Sequence, residues 1–164
     1  MKKILILAVL AASIVYGAGA VLLSERATNR FLDELEALSL QGHMPEFCAR
    51  LHDDLEVRIE DRTSPGFPRD VAGGKREYCD FVTYAMKGLD IIGLETAVVR
   101  HDYSVDRSWL HPWTARVSYH ETRTSRMTRV NAALNTESDD RWELVLTGSG
   151  VKVRRLESKS KLVP

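Results

Sequence analysis

Hydrophobic and polar positions divide the chain into an apolar leader, a helical first half and a strand-rich second half. Ile4 to Leu23 follow Met1-Lys2-Lys3 without a single charge. Residues 28–40 set Phe31, Leu32, Leu35 and Leu38 on one stripe, which predicts a helix that Gly42 breaks. Pro45 suits the first turn of a second helix, where Met44, Phe47, Cys48, Leu51 and Leu55 recur at helical spacing. Leu55, Val57 and Ile59 then alternate with Glu56, Arg58 and Glu60, the period of a short half-buried strand. Residues 61–74 carry Pro65, Gly66, Pro68, Gly73 and Gly74 and read as a loop. A third helix follows, with Tyr78, Phe81, Val82, Ala85 and Leu89 on its stripe.

After Gly88 the pattern turns to strand. Leu94–Tyr103 is rich in β-branched residues, Trp113–Glu121 alternates, and Trp142-Glu-Leu-Val-Leu is a further strand. Gly148-Ser-Gly150 turns into Val151–Glu157 as a hairpin. Residues 125–134 fit either a continuation of the preceding strand through a bulge or a break. Helices first and an antiparallel meander afterwards give an α+β class, with N-terminal helices packed on a curved, mostly antiparallel sheet.

A helix over the leader would span about 30 Å, the thickness of a bilayer's hydrocarbon core. Lys2 and Lys3 then favour a cytoplasmic N-terminus and an extracytoplasmic remainder. Two readings compete. The whole run serves as a signal anchor, giving a single-pass inner-membrane protein with a periplasmic domain. Alternatively Ala18-Gly19-Ala20 is a cleavage site, giving a secreted or periplasmic protein. Residues 1–24 are thus set apart from one domain, 25–164, with its core over about 28–159.

The 164 residues leave room for one compact domain, and 44% hydrophobic with 28% charged residues excludes wholesale disorder. Twenty-three basic residues balance twenty-three acidic ones, which argues against a general nucleic-acid binder. The charge is uneven, however. Residues 31–61 hold nine acidic and two basic groups, whereas residues 100–164 hold twelve basic and eight acidic. Cys48 and Cys79 each sit near the apolar stripe of a predicted helix, and export would place them in an oxidising compartment. A Cys48–Cys79 disulfide is expected, with two separate buried thiols as the plainer alternative.

Three stretches resemble the nuclear transport factor two-like superfamily, the cone-shaped cystatin-like fold that includes polyketide-cyclase-type and ketosteroid-isomerase-type enzymes. Phe31 to Leu51 with Gly42 resembles its opening helices, and Gly74-Lys-Arg-Glu-Tyr its glycine-then-helix entry. Trp142-Glu-Leu-Val-Leu-Thr-Gly-Ser-Gly-Val-Lys-Val resembles its closing hairpin. The resemblance implies an apolar cavity inside the cone, with a carboxylate working beside a tyrosine or histidine. It also implies a homodimer through the outer face of the sheet.

Strand parity supplies the candidates. Ala97, Val99, His101 and Tyr103 share one face, as do Ala115, Val117 and Tyr119, and Trp142, Leu144 and Leu146. If those faces line the cone, His101, Tyr103, Tyr119 and Trp142 point inward together. The plainer alternative makes them packing residues with satisfied polar tips. Asp80 and Tyr84, four apart on the third helix, fit a cavity mouth or a solvent-side pair. His52-Asp53-Asp54, His101-Asp102 and His120-Glu121 are donor pairs, but strand neighbours point to opposite faces, so no metal and no cofactor is expected.

Three functions follow from this pattern. The first is a non-catalytic, membrane-tethered or exported domain that binds a protein partner or assists an envelope assembly. The second is a small lyase, isomerase or cyclase acting on an apolar ligand in the cone, and the third a ligand carrier. The cavity discriminates between them. A cone plugged by Trp142, Tyr119 and Phe81 favours the first, and an open cone with a carboxylate near Tyr or His favours the second.

Overall fold

Six strands form one curved sheet in the order β2-β1-β6-β5-β4-β3. They are β1 (Leu51–Arg62), β2 (Asp70–Gly73), β3 (Leu94–Asp106), β4 (Thr114–Met127), β5 (Ala132–Thr147) and β6 (Gly150–Val163). Every neighbouring pair is antiparallel except β1 and β6, which run parallel. Helices α1 (Glu25–Leu40), α2 (Met44–Ala49) and α3 (Lys75–Ile92) bury their stripes against one face of that sheet. The computed structural model describes residue 13 and residues 17–63, 70–108, 110–129 and 131–163.

The predicted first stripe packs as expected: Phe31, Leu32 and Leu35 are buried, and Leu38 lies against them. Ser24 caps α1, its hydroxyl accepting from the Ala27 amide, and Gly42 at φ 73° takes the left-handed turn out of it. The second helix is shorter than its spacing predicts. It stops at Ala49, and Leu51 and Leu55 belong to β1. Leu51, Leu55, Val57 and Ile59 are all odd-numbered, so the four-residue step that fits a helix equally fits one face of a strand. Pairing with β6 decides between the two, beginning at Leu51 opposite Val153.

Helix α3 runs through Gly88 and ends only where Gly93 adopts φ 66°. An interior glycine weakens a helix by about 1 kcal/mol and does not stop it. Of the predicted loop, residues 70–73 form β2 against β1, and residues 64–69 lie outside the described residues. Residues 125–134 split between the end of β4, a turn and the start of β5. The Gly148–Gly150 hairpin forms, with Thr147 opposite Gly150.

The apolar leader falls mostly outside the described residues. Its last part, residues 17–22, is helical, and Leu23 is fully buried in the core. Among the described residues no helix is long and apolar enough to cross a membrane. Cys48 and Cys79 form a disulfide that ties α2 to α3, with Cα atoms 5.9 Å apart. The closed loop spans 31 residues, which the chain-entropy relation converts to about 3–4 kcal/mol. Reduction, or paired Cys48→Ala and Cys79→Ala substitution, is therefore expected to lower the unfolding free energy by about that amount. Denaturant titration of the oxidised and reduced protein measures it, and coincident curves would remove the bridge from the account of stability.

Candidate active site in the cone

β4 and β5 each carry an apolar row that turns polar as it continues along the strand. On β4 the inward row runs Ala115, Val117, Tyr119, Glu121, and all four are buried. On β5 the buried Leu144 is followed toward the strand's start by Trp142 and then Asp140, itself buried. Register makes the two rows meet: Val117 faces Trp142, Tyr119 faces Asp140, and Asp140 faces Ser158 of β6. Charged groups thus enter the interior in phase with the core, where the sheet and α3 bound a cavity of about 390 Å³. Its lining includes Tyr78, Glu121, Arg123, Asp140, Trp142 and Ser158.

Burial pushes the Asp140 carboxyl above the ordinary carboxylate range, and nearby Glu121 adds to the shift. The Ser158 and Ser138 hydroxyls and the Arg123 charge pull the other way without cancelling it. Ser138 Oγ donates to Asp140 Oδ2 at 2.7 Å, which fixes the carboxyl's orientation. Tyr78, from α3, and Tyr119 are both pushed well above the normal phenol range, by burial first and by the Asp140 charge second. Both phenols therefore keep their protons at any working pH. Trp142 presents a buried Nε1 without a hydrogen bond of sound geometry among the described residues, although its indole adjoins the Tyr119 hydroxyl.

Beside this carboxyl lies an ionic clasp between helix and sheet. Glu121 Oε1 accepts from Arg123 Nε at 3.1 Å and Nη2 at 2.9 Å. Arg123 Nη2 also donates to Glu36 Oε1 of α1 at 2.9 Å, and Arg100 Nη2 donates to Glu36 Oε2 at 3.0 Å. Arg100 adds Asp33 and stacks its guanidinium over the Tyr119 ring, 5.4 Å from the centroid. Tyr103 stacks on the other side of the cluster, its ring 5.8 Å from that of Tyr119, and donates to Thr28 Oγ1 at 2.9 Å.

Of the four candidates from parity, Trp142 lines the cavity, Tyr119 is buried opposite Asp140, and Tyr103 lines the depression between α1 and β3. Tyr103 and Tyr119 are stacked, and Trp142 lies on the same inner face of β5. His101 does not join them: its side chain is exposed. A bulge between His101 and Ser104, with Asp102 at φ 53°, reverses the parity of β3. Arg100 takes the inward position expected of His101, which instead pairs across the strand with His120 on the outer face. Asp80 and Tyr84 are exposed, and Tyr78 is the α3 aromatic in the cavity lining. Among the described residues no group of three ligating side chains forms a metal site. The parity signal for Asp140 and Glu121 was present: each continues an apolar row by two residues.

Larger depressions of about 730 and 770 Å³ lie between α1 and β3 and beside the α1–α2 turn. Neither is lined by Asp140, Tyr78 or Trp142.

No protein-family model matches the sequence, and no curated protein matches it. Solved structures do match in fold. Aln2 from a Streptomyces species superposes with a TM-score of 0.63 at 16% identity, over 80% of this chain and 86% of that one. A scytalone dehydratase-like protein from Novosphingobium aromaticivorans gives 0.64 at 18% identity, over 87% of each chain. An NTF2-like protein with a cystatin-like fold, also from Novosphingobium aromaticivorans, gives 0.55 at 18% identity over 82% of this chain and 86% of that one. At this identity the likeness is one of fold, and the fold is the NTF2-like cone.

Proposed function

We propose that the cone is the active site of a small lyase, isomerase or cyclase, in which Asp140 moves a proton on an apolar ligand. The observation that carries this reading is a buried carboxyl, held above its ordinary range, in the lining of a cavity that Tyr78 and Trp142 share. A carboxyl raised by burial is a stronger base than an ordinary one, the direction in which a general acid or base is tuned. A dehydratase-like protein among the fold neighbours supports the same class of chemistry. A plugged cone would favour the first expectation, a non-catalytic binding domain, and the cavity of about 390 Å³ favours the catalytic alternative.

The chemistry divides among named groups. The Asp140 carboxylate takes a proton from a carbon next to a ligand carbonyl, and the C–H electron pair passes into the enolate. A protonated phenol or the Arg123 guanidinium stabilises the enolate oxygen as charge develops there. Asp140 returns the proton at another carbon, giving an isomer, or to a departing hydroxyl, giving an alkene and water. Apolar walls from Ile59, Leu156 and Trp142 hold the ligand's hydrocarbon body.

The test uses 2-tetralone, an enolisable bicyclic ketone, in deuterium oxide. Proton NMR should show the hydrogens between its ring and carbonyl exchanging faster with the protein than with buffer alone. Exchange at the buffer rate, with the protein folded and in excess over the ketone, would sink the catalytic reading.

A further inference from the structure

Four large apolar side chains stand exposed where the leader enters the domain: Val21 at 69%, Leu22 at 46%, Leu110 at 59% and Trp113 at 44%. Single exposed apolar residues are ordinary, whereas a group of four gathered from two distant segments marks a contact surface. The two segments are fastened together. Arg107 Nη1 donates to the Ala20 carbonyl at 2.8 Å. Gly19 lies so close to Pro112 that a Cβ there would overlap the proline carbonyl. Leu23, the next apolar residue, is locked in the core, so the helical end cannot swing away from the loop without opening the core.

The loop between β3 and β4 is itself held. His111 N donates to Ser108 O, Thr114 N to His111 O, and Leu146 N to Trp113 O. Leu110 and Trp113 are therefore presented on a fixed turn. Upstream, the chain continues as the uncharged run from Ile4, which follows Met1, Lys2 and Lys3. The patch is thus continuous with the most apolar segment of the protein. Its rim carries Arg107 and His111, and tryptophan, leucine and arginine together form the set that settles at a membrane–water interface.

We infer that this patch docks on the surface of a lipid bilayer, with Leu110 and Trp113 among the acyl-chain ends and Arg107 at the phosphates. The leader reaches the same bilayer, and the patch sets the domain's orientation on it. A tether alone would leave the domain free to rotate; the patch would hold one end against the membrane. The inference does not depend on the cone being catalytic.

The experiment uses the full chain, residues 1–164, reconstituted into vesicles of phosphatidylethanolamine and phosphatidylglycerol. Leu110→Cys, and separately Val21→Cys, is labelled with the polarity-sensitive fluorophore NBD, the native cysteines being held in their disulfide. Tyr84→Cys, 78% exposed on α3, serves as the reference position. Labels at 110 and 21 should emit at shorter wavelength than the label at 84, and lipids doxylated near the headgroup should quench them. Equal, water-like emission at all three positions would overturn the proposal. So would a label at 110 that stays wet on vesicles and becomes shielded only by a protein from the cell envelope, which would assign the patch to that protein.

Discussion

Asp140→Asn is expected to slow 2-tetralone exchange roughly 10²–10⁴-fold, the usual contribution of a general acid or base. The same substitution should leave the domain at least as stable near neutral pH. Burial raises the carboxyl of Asp140 in the folded state above its unfolded value of 3.8. Between those two values the native state keeps a proton that the unfolded chain has released, so stability falls as pH rises through the window. Above it, the native state holds a buried carboxylate at a continuing cost. Asparagine keeps the shape and the acceptor for Ser138 but has no charge to bury, so that part of the pH slope should vanish. Thermal melts across the acid range measure the slope, and NMR the exchange rate. An Asn variant that is folded and fully active would remove Asp140 from the mechanism. His101→Ala, on the outer face, should change neither reading.

The class of the fold was legible because the sequence keeps one period at a time. Phe31, Leu32 and Leu35 recur at helical spacing, and Ala115, Val117 and Tyr119 alternate, so burial follows from chain position alone. Illegible parts fall where two periods coincide or where one residue breaks the count. Leu51 and Leu55 satisfy helix and strand together, and only the parallel partner β6 resolves them. His101 was displaced by a single bulge, because one extra residue turns every later side chain to the other face.

Asp140 and Glu121 were missed for a different reason. Charged residues at the end of an apolar row read as the point where a strand reaches solvent. Here the sheet is long enough, and α1 and α3 lie far enough over it, that the row is still covered when it becomes polar. Arg123, Arg100 and Glu36 make that burial tolerable for Glu121, and sequence separations of 64 to 87 residues between helix and sheet partners hide the arrangement from any local pattern. The disulfide was legible because it needed only two cysteines on two helices that share a sheet face.

Glu121→Ala is expected to be the most destabilising substitution in the clasp, at about 3–5 kcal/mol. The Glu121 side chain is 7% exposed and that of Arg100 is 11% exposed. Removing the carboxylate strips Arg123 of both its bonds to Glu121 and leaves Arg100 Nε, already without a hydrogen bond among the described residues, further from any counter-charge. The loss is large because the Arg100 guanidinium stays buried with only α1's acids beside it, and Arg123, one-third exposed, keeps Glu36 and the neighbouring Asp140 but loses its bidentate partner. Against a total of about 5–15 kcal/mol for an ordinary domain, this approaches unfolding. Lys75→Ala, which breaks the exposed pair with Asp53, removes a contact that water and salt already screen and should barely move the melt. Melting both variants at low and high salt makes the comparison. The Glu121 deficit should persist at high salt. A Glu121→Ala protein that melts with the Lys75→Ala protein would show that the helix α1 is held by its apolar stripe alone.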